Sequence, residues 1–198
     1  MNILNDDPGH LIRRSSGGVC QRSMLTKAIM TVLTAIIIPL CMSCGGNKEA
    51  DFKMKVAAGK YLHLHTKGGW GIDRDLWIFP DDSFRACYRN RSKGSVENDR
   101  FGSNPGSFKR IVSLTDSLGG WRLTSDSLKK DMESAKVGMI NRKIFDVDHA
   151  YLEFKIPGKS LVADYYAAGY FAKFYPKAKE VSDFAKLQEA VSDAIDKP

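Results

Sequence analysis

Leu76-Trp77-Ile78-Phe79-Pro80-Asp81-Asp82-Ser83-Phe84-Arg85-Ala86-Cys87-Tyr88-Arg89-Asn90-Arg91 is the stretch on which the fold class turns. Its middle, Pro80-Asp81-Asp82-Ser83, is turn chemistry. Proline presets its own φ near the value a turn requires, and Asp and Ser side chains bond backbone amides two residues on. Apolar arms flank it, Leu76 to Phe79 and Phe84 to Arg91. On the second arm Phe84, Ala86 and Tyr88 alternate with Arg85, Cys87, Arg89 and Arg91. Period-two alternation places one set on a core and the other toward water, so this is a β-hairpin and the sheet it belongs to is antiparallel.

Working outward, Tyr61-Leu62-His63-Leu64-His65 puts Leu62 and Leu64 on one strand face and both histidines on the other. Ala150, Leu152, Phe154 and Ile156 alternate with Tyr151, Glu153 and Lys155, and Pro157-Gly158 suits a type II turn before Leu161 and Val162. Ile111 to Leu114 and Trp121 to Leu123 flank Ser117-Leu118-Gly119-Gly120 and read as a further hairpin. Residues 92–107, rich in Ser, Gly, Asn and Pro, read as a long loop. Helical spacing appears three times. Leu128, Met132, Ala135 and Met139 follow Asp126 as N-cap; residues 165–175 are aromatic and alanine-rich and stop at Pro176; and from Ser182 onward Phe184, Leu187, Val191 and Ile195 form one apolar stripe. Strands first and helices last argue for an α+β fold, an antiparallel sheet of hairpins with C-terminal helices.

The chain has 198 residues, 43% hydrophobic and 27% charged, the composition of one globular domain rather than a disordered segment. Residues 44–198 keep 26 bases and 21 acids, a net +5 within the whole chain's +7. That excess steers anions weakly. Basic and aromatic residues are not interleaved as in a nucleic-acid module, so no nucleic-acid partner is expected.

From Met24 the sequence reads as an export signal. Lys27 supplies a positive start, and Ala28 to Leu40 gives thirteen largely apolar residues, short of the ~20 that span a bilayer. Leu40-Cys41-Met42-Ser43-Cys44-Gly45 resembles the lipobox of bacterial lipoprotein precursors, with small Ser43 before Cys44, Gly45 after it, and Cys41 where that pattern usually has leucine. The resemblance implies a thioether-linked diacylglycerol on Cys44 and an acylated amino terminus, palmitate being one such chain. Lys48, Glu49 and Asp51 faintly resemble the charged export tag of surface lipoproteins in Bacteroidetes-like bacteria. The expected division is a leader and signal peptide at 1–43, a lipidated Cys44 and polar tether at 44–55, and a soluble domain at 56–198. The polar first 23 residues do not fit a signal, and translation starting at Met24 leaves 1–23 untranslated. The expected location is the outer membrane, on its periplasmic or cell-surface face.

Gly59-Lys60-Tyr61 faintly resembles the Gly-x-Trp opening of lipocalins. This resemblance implies the alternative fold, a lipocalin-like β-barrel with a C-terminal helix, carrying a small hydrophobic ligand.

Three constellations bear chemistry. His63 and His65 share a strand face, and Asp73 and Asp75 repeat the spacing, which is how a strand offers metal ligands. Cys87 lies between Arg85 and Arg89 on one face, where cations favour a thiolate, but a nucleophilic cysteine also needs a base. From Arg85 to Arg110 there are seven bases and two acids, and Arg85, Arg89, Arg91, Arg100 and Arg110 are the candidates for an anionic ligand. No phosphate-binding glycine loop, zinc spacing or nucleophile elbow occurs, and no cofactor is indicated. The expected function is a cell-envelope lipoprotein acting as a non-catalytic binding or assembly module. It would meet the membrane through its lipid and either an anionic ligand or an envelope protein through its domain. The alternatives are a small metal-dependent envelope enzyme and the lipocalin-like carrier.

Overall fold

A computed structural model describes residues 48–69, 71–135 and 148–197. Cys44, the apolar run before it and Met139 lie outside the described residues. The elements in chain order are α1 (Lys48–Ala57), β1 (Tyr61–Lys67), β2 (Ile72–Ile78), β3 (Ser83–Asn90), β4 (Ser95–Ser103), α2 (Ser107–Leu118), a 3-10 turn (Gly120–Arg122), α3 (Ser125–Ala135), β5 (His149–Ile156), β6 (Lys159–Tyr166), α4 (Ala168–Phe174) and α5 (Lys179–Asp196). The strands form one sheet in the order β4-β3-β2-β1-β5-β6, each pair antiparallel. The fold is α+β. Successive hairpins lay β1 to β4 side by side, and the β5–β6 hairpin then joins the free edge of β1.

The sheet is open, which removes the barrel alternative. A barrel needs its two outer strands to pair. Here β4 and β6 are separate edges. The edge strand β6 is instead met by α3, whose Ser125 hydroxyl accepts the Asp164 N–H at 2.9 Å.

One face of the sheet is core. Leu62, Leu64, Leu76, Ile78, Leu152 and Phe154 are fully buried on it, as the alternation requires. They pack against α5, where Val181, Phe184, Leu187 and Val191 are equally buried. Its C-terminus is clasped: Arg74, Tyr88 and Arg100 reach Asp196 at 2.6, 3.0 and 3.1 Å. Arg100 also donates to the Ile195 carbonyl at 3.0 Å, and the Asn104 amide to the Ala194 carbonyl at 2.6 Å. Cations and amide donors thus satisfy carbonyls that a helix end leaves orphaned.

Several expectations are corrected. Residues 92–107 are not a loop: after a turn at 91–94 the chain forms β4. This edge strand has no buried residue, so no apolar alternation marks it. Its Gly102 is needed because the Phe84 ring lies over it; a Cβ there would come within 2.4 Å of the ring. Ile111 to Leu123 is not a hairpin. Ile111 and Thr115 are buried at helical spacing on α2, and Gly119 ends the helix at φ 66, a left-handed C-cap. The amino end of α2 is capped from elsewhere. Asp82 in the β2–β3 turn, itself at φ 62, accepts the N–H groups of Gly106 at 2.6 Å and Phe108 at 3.0 Å.

The tether expected at 44–55 is a helix from Lys48 onward, placed on the sheet by Phe52. The expected helix at 165–175 begins as strand, β6 running to Tyr166 before α4. The caps also shift. Thr124 rather than Asp126 caps α3, its hydroxyl accepting the Ser127 N–H at 3.1 Å while the Ser127 hydroxyl accepts the Thr124 N–H at 3.1 Å. α5 starts at Lys179, ahead of Ser182. Among the described residues no helix is long and apolar enough to cross a membrane.

Truncating Phe184→Ala opens a void between α5 and the sheet, and urea unfolding is expected to show a loss of about 3–5 kcal/mol. Asp82→Ala removes a cap from α2 and is expected to lose about 1–2 kcal/mol in the same measurement, with the slope against urea unchanged.

Candidate functional site

The opposite face of the sheet carries the chemistry. Strand pairing sets its side chains in cross-strand rows. One row runs Glu153, His63, Trp77, Arg85, Phe101 across β5, β1, β2, β3 and β4; the next runs Tyr151, His65, Asp75, Cys87, Asp99. Residues directly opposite on one face sit close enough to interact.

At the centre, two imidazoles share one carboxylate oxygen. His63 Nε2 lies 2.8 Å and His65 Nδ1 3.2 Å from Asp75 Oδ1. The His63 ring stacks on Trp77 at 3.8 Å and 12°. His63 is only 9% exposed, and its buried Nδ1 has no hydrogen-bond partner, Glu153 Oε2 standing 4.0 Å away. Glu153 is held on its other side by the Tyr61 hydroxyl at 3.1 Å and Lys155 at 2.6 Å. Burial opposes charge on Asp75, but the hydrogen bonds from His63 and His65 outweigh it and hold the carboxyl well below the usual range. Burial likewise opposes charge on Glu153, and the hydrogen bonds from Lys155 and Tyr61 lower its carboxyl nonetheless. The Tyr151 phenol is pushed up by burial and by the neighbouring Glu153.

Beside this cluster Arg85 grips Asp99 with two bonds, Nε at 3.0 Å and Nη2 at 2.8 Å. Its remaining nitrogen meets Glu49 of α1 at 3.2 Å, and its guanidinium lies 4.4 Å from the centre of the Phe52 ring. Phe52 stands edge-on to Trp77 at 5.5 Å and to Phe79 at 5.9 Å. The face is therefore an aromatic and charged plate with one helix laid across part of it.

The expected metal set is brought together only in part. His63, His65, Asp73 and Asp75 all fall on this face, and the first two converge on Asp75. Asp73 does not join them; its carboxylate is bound by Arg91 at 2.5 Å. Among the described residues no group of three or more His, Cys, Asp and Glu is arranged to hold a metal ion. The arginine set is dispersed. Arg85 and Arg89 share this face, with Arg89 beside the Cys87 sulfur. Arg91 is in the turn after β3 with Asp73. Arg100 faces the other way, onto the end of α5, and Arg110 lies on α2 near Asn104. These five do not form one cationic surface.

Cys87 is buried and is a free thiol. Its cross-strand neighbours are Asp75 and Asp99, and β2 separates it from β1, which holds both central histidines. Two strand spacings amount to roughly 9–10 Å of backbone separation. Carboxylates rather than an imidazole stand next to the thiol, so the cysteine–histidine contact common in cysteine catalysis is not built here. His149 pairs with Asp164 at 2.9 Å on the same face, toward the β6 edge.

The residues that complete the plate, Phe52, Tyr61, Trp77, Tyr151 and Glu153, were not singled out by sequence. Alternation on β5 gives Tyr151 and Glu153 one face, but only the β1–β5 register sets them beside His65 and His63. No protein-family model and no curated protein matches the chain.

Asp75→Asn leaves two histidines without their shared charge and is expected to lose about 1–3 kcal/mol of unfolding free energy at pH 7. A carboxyl whose pKa is lower folded than unfolded stabilises fully above its unfolded pKa, near ~4, and less as acid protonates it. The gap between wild type and variant should therefore begin to close below pH ~4 and keep closing toward pH ~2. Urea titrations at stepped pH measure it, and a gap that stays constant through this range contradicts the assignment.

Proposed function

We propose that the chain is a cell-envelope lipoprotein, anchored to the outer membrane through Cys44, whose domain is a non-catalytic binding module. The observation that carries this reading is an apolar run of signal length ending beside Cys44, ahead of the first described element at Lys48. Removal of residues 1–43 takes away no strand or helix of the described fold. Several acyl chains on one residue supply the double hydrophobic signal that stable anchoring requires.

The binding face is the plate on the outer side of the sheet. A solvated strand face ordinarily carries scattered small polar and charged residues. This one concentrates Trp77, Tyr151, Phe101 and Arg85, the residue types that dominate recognition surfaces. Its acids and bases are engaged with one another, which favours recognition over proton transfer. An envelope protein is the partner this composition favours over a small anion, since the arginines do not converge.

Phase separation in a cloud-point detergent tests the anchor. Wild-type protein expressed with its own signal in a Gram-negative host should enter the detergent phase, and Cys44→Ser should move to the aqueous phase. Equal partition of the two forms overturns the proposal.

A further inference from the structure

We infer that α1 is a releasable strap, occupying as an intramolecular ligand a docking site for a partner helix that presents an aromatic residue one turn after a carboxylate. This inference deepens the binding-module reading of the sheet face. It does not depend on Cys44, so the detergent partition can fail while the strap stands.

α1 is held unlike the other helices. Each of α2 to α5 has buried residues, and α1 has none. One side chain, Phe52, enters the plate between Trp77 and Phe79. The remaining attachments come from charged side chains: Glu49 on Arg85 at 3.2 Å, Lys55 on Asp81 at 2.8 Å and on the Ser83 hydroxyl at 3.0 Å, and the Lys48 and Lys55 ammonium groups over the Phe101 and Phe79 rings at 6.0 and 5.7 Å. In each ion pair the acid is the more exposed partner, Glu49 on Arg85 and Asp81 on Lys55, so water competes for one side of each attachment. A ten-residue helix is also marginal by itself, so loss of its packing dissolves it.

The site beneath is incompletely filled. An open cleft of about 280 Å³ lies between Phe52 and Lys55 of α1 and Phe79, Phe84 and Phe101 of the sheet side. The helix leaves through Gly59, at φ 66, a left-handed turn that glycine takes without strain. A helix with no buried residue, held by one ring and a few charged side chains, has the makings of a segment that opens locally.

The plate specifies what replaces it. Arg85 is fixed from the far side by its two bonds to Asp99, so its free edge and its flat face stay presented when α1 leaves. They take a carboxylate and an aromatic ring, the roles filled by Glu49 and Phe52 three residues apart on one helix face. Trp77 and Phe79 supply the walls for that ring. Helix-in-groove recognition uses such an anchor on an amphipathic segment.

Hydrogen exchange on the full chain, with an α1 peptide (residues 48–59) as the probe, tests the inference. In wild type the α1 amides should exchange at least about 100-fold faster than those of β1. Phe52→Ala should bring α1 to the rate of the free peptide and leave β1 and β5 unchanged. Glu49→Gln, which spares the aromatic anchor, should speed exchange in α1 by a smaller factor. A fluorescent copy of the peptide should bind the Phe52→Ala chain roughly tenfold more tightly than wild type, because the strap no longer competes. The same peptide carrying Phe52→Ala should not bind. The inference is overturned by protection of α1 equal to β1, by equal peptide binding to both chains, or by no binding to the opened chain.

Discussion

Burial of the α5 stripe against the inner face of the sheet is the interaction on which the rest of the molecule depends. Phe184, Leu187 and Val191 have no exposed surface, and neither do Leu62, Leu64 and Leu76 across from them. A small α+β domain has one place to bury so much apolar area, and the other elements are arranged around it. α2, α3 and α4 pack beside α5. The Asp196 clasp then draws β2, β3 and β4 onto the end of the same helix. With one sheet face committed to this core, the other is free to carry polar and aromatic groups, as antiparallel sheets allow.

That free face is nearly self-sufficient. Asp75 is used by two histidines, Glu153 by Tyr61 and Lys155, and Asp99 by Arg85. A half-buried carboxylate is tolerable only with such partners. The exception is Nδ1 of His63, pointing toward Glu153 without reaching it. Polar pairing of this density fixes side chains in place and suits a surface that recognises shape.

What could be read in the sequence was what alternates or repeats around a core. The β2–β3 hairpin, the β5–β6 hairpin and the stripe of α5 all bury one set of residues and expose the other, and their patterns say so. β4 was hidden because an edge strand with both sides wet has no pattern to show. α2 was misread because β-branched Ile111 and Val112 favour strands while the helix's N-terminal cap, Asp82, comes from a turn more than twenty residues earlier. α1 was hidden because a helix that buries nothing resembles a polar tether. At the candidate site, spacing placed His63, His65 and Asp75 on one face. Glu153 stands beside His63 only through a pairing 90 positions apart in the chain, which no local pattern encodes.

The position of β1 has a consequence for biogenesis. It is the first strand in sequence yet lies inside the sheet, flanked by β2 and β5. A chain emerging amino end first completes the four-stranded meander early, with one edge of β1 still vacant. Its apolar face also stays uncovered, because α5 comes last. Closure of so distant a pairing is slow and leaves an adhesive intermediate while it waits. A chain of this topology gains from being held unfolded by a chaperone until its last helix is available.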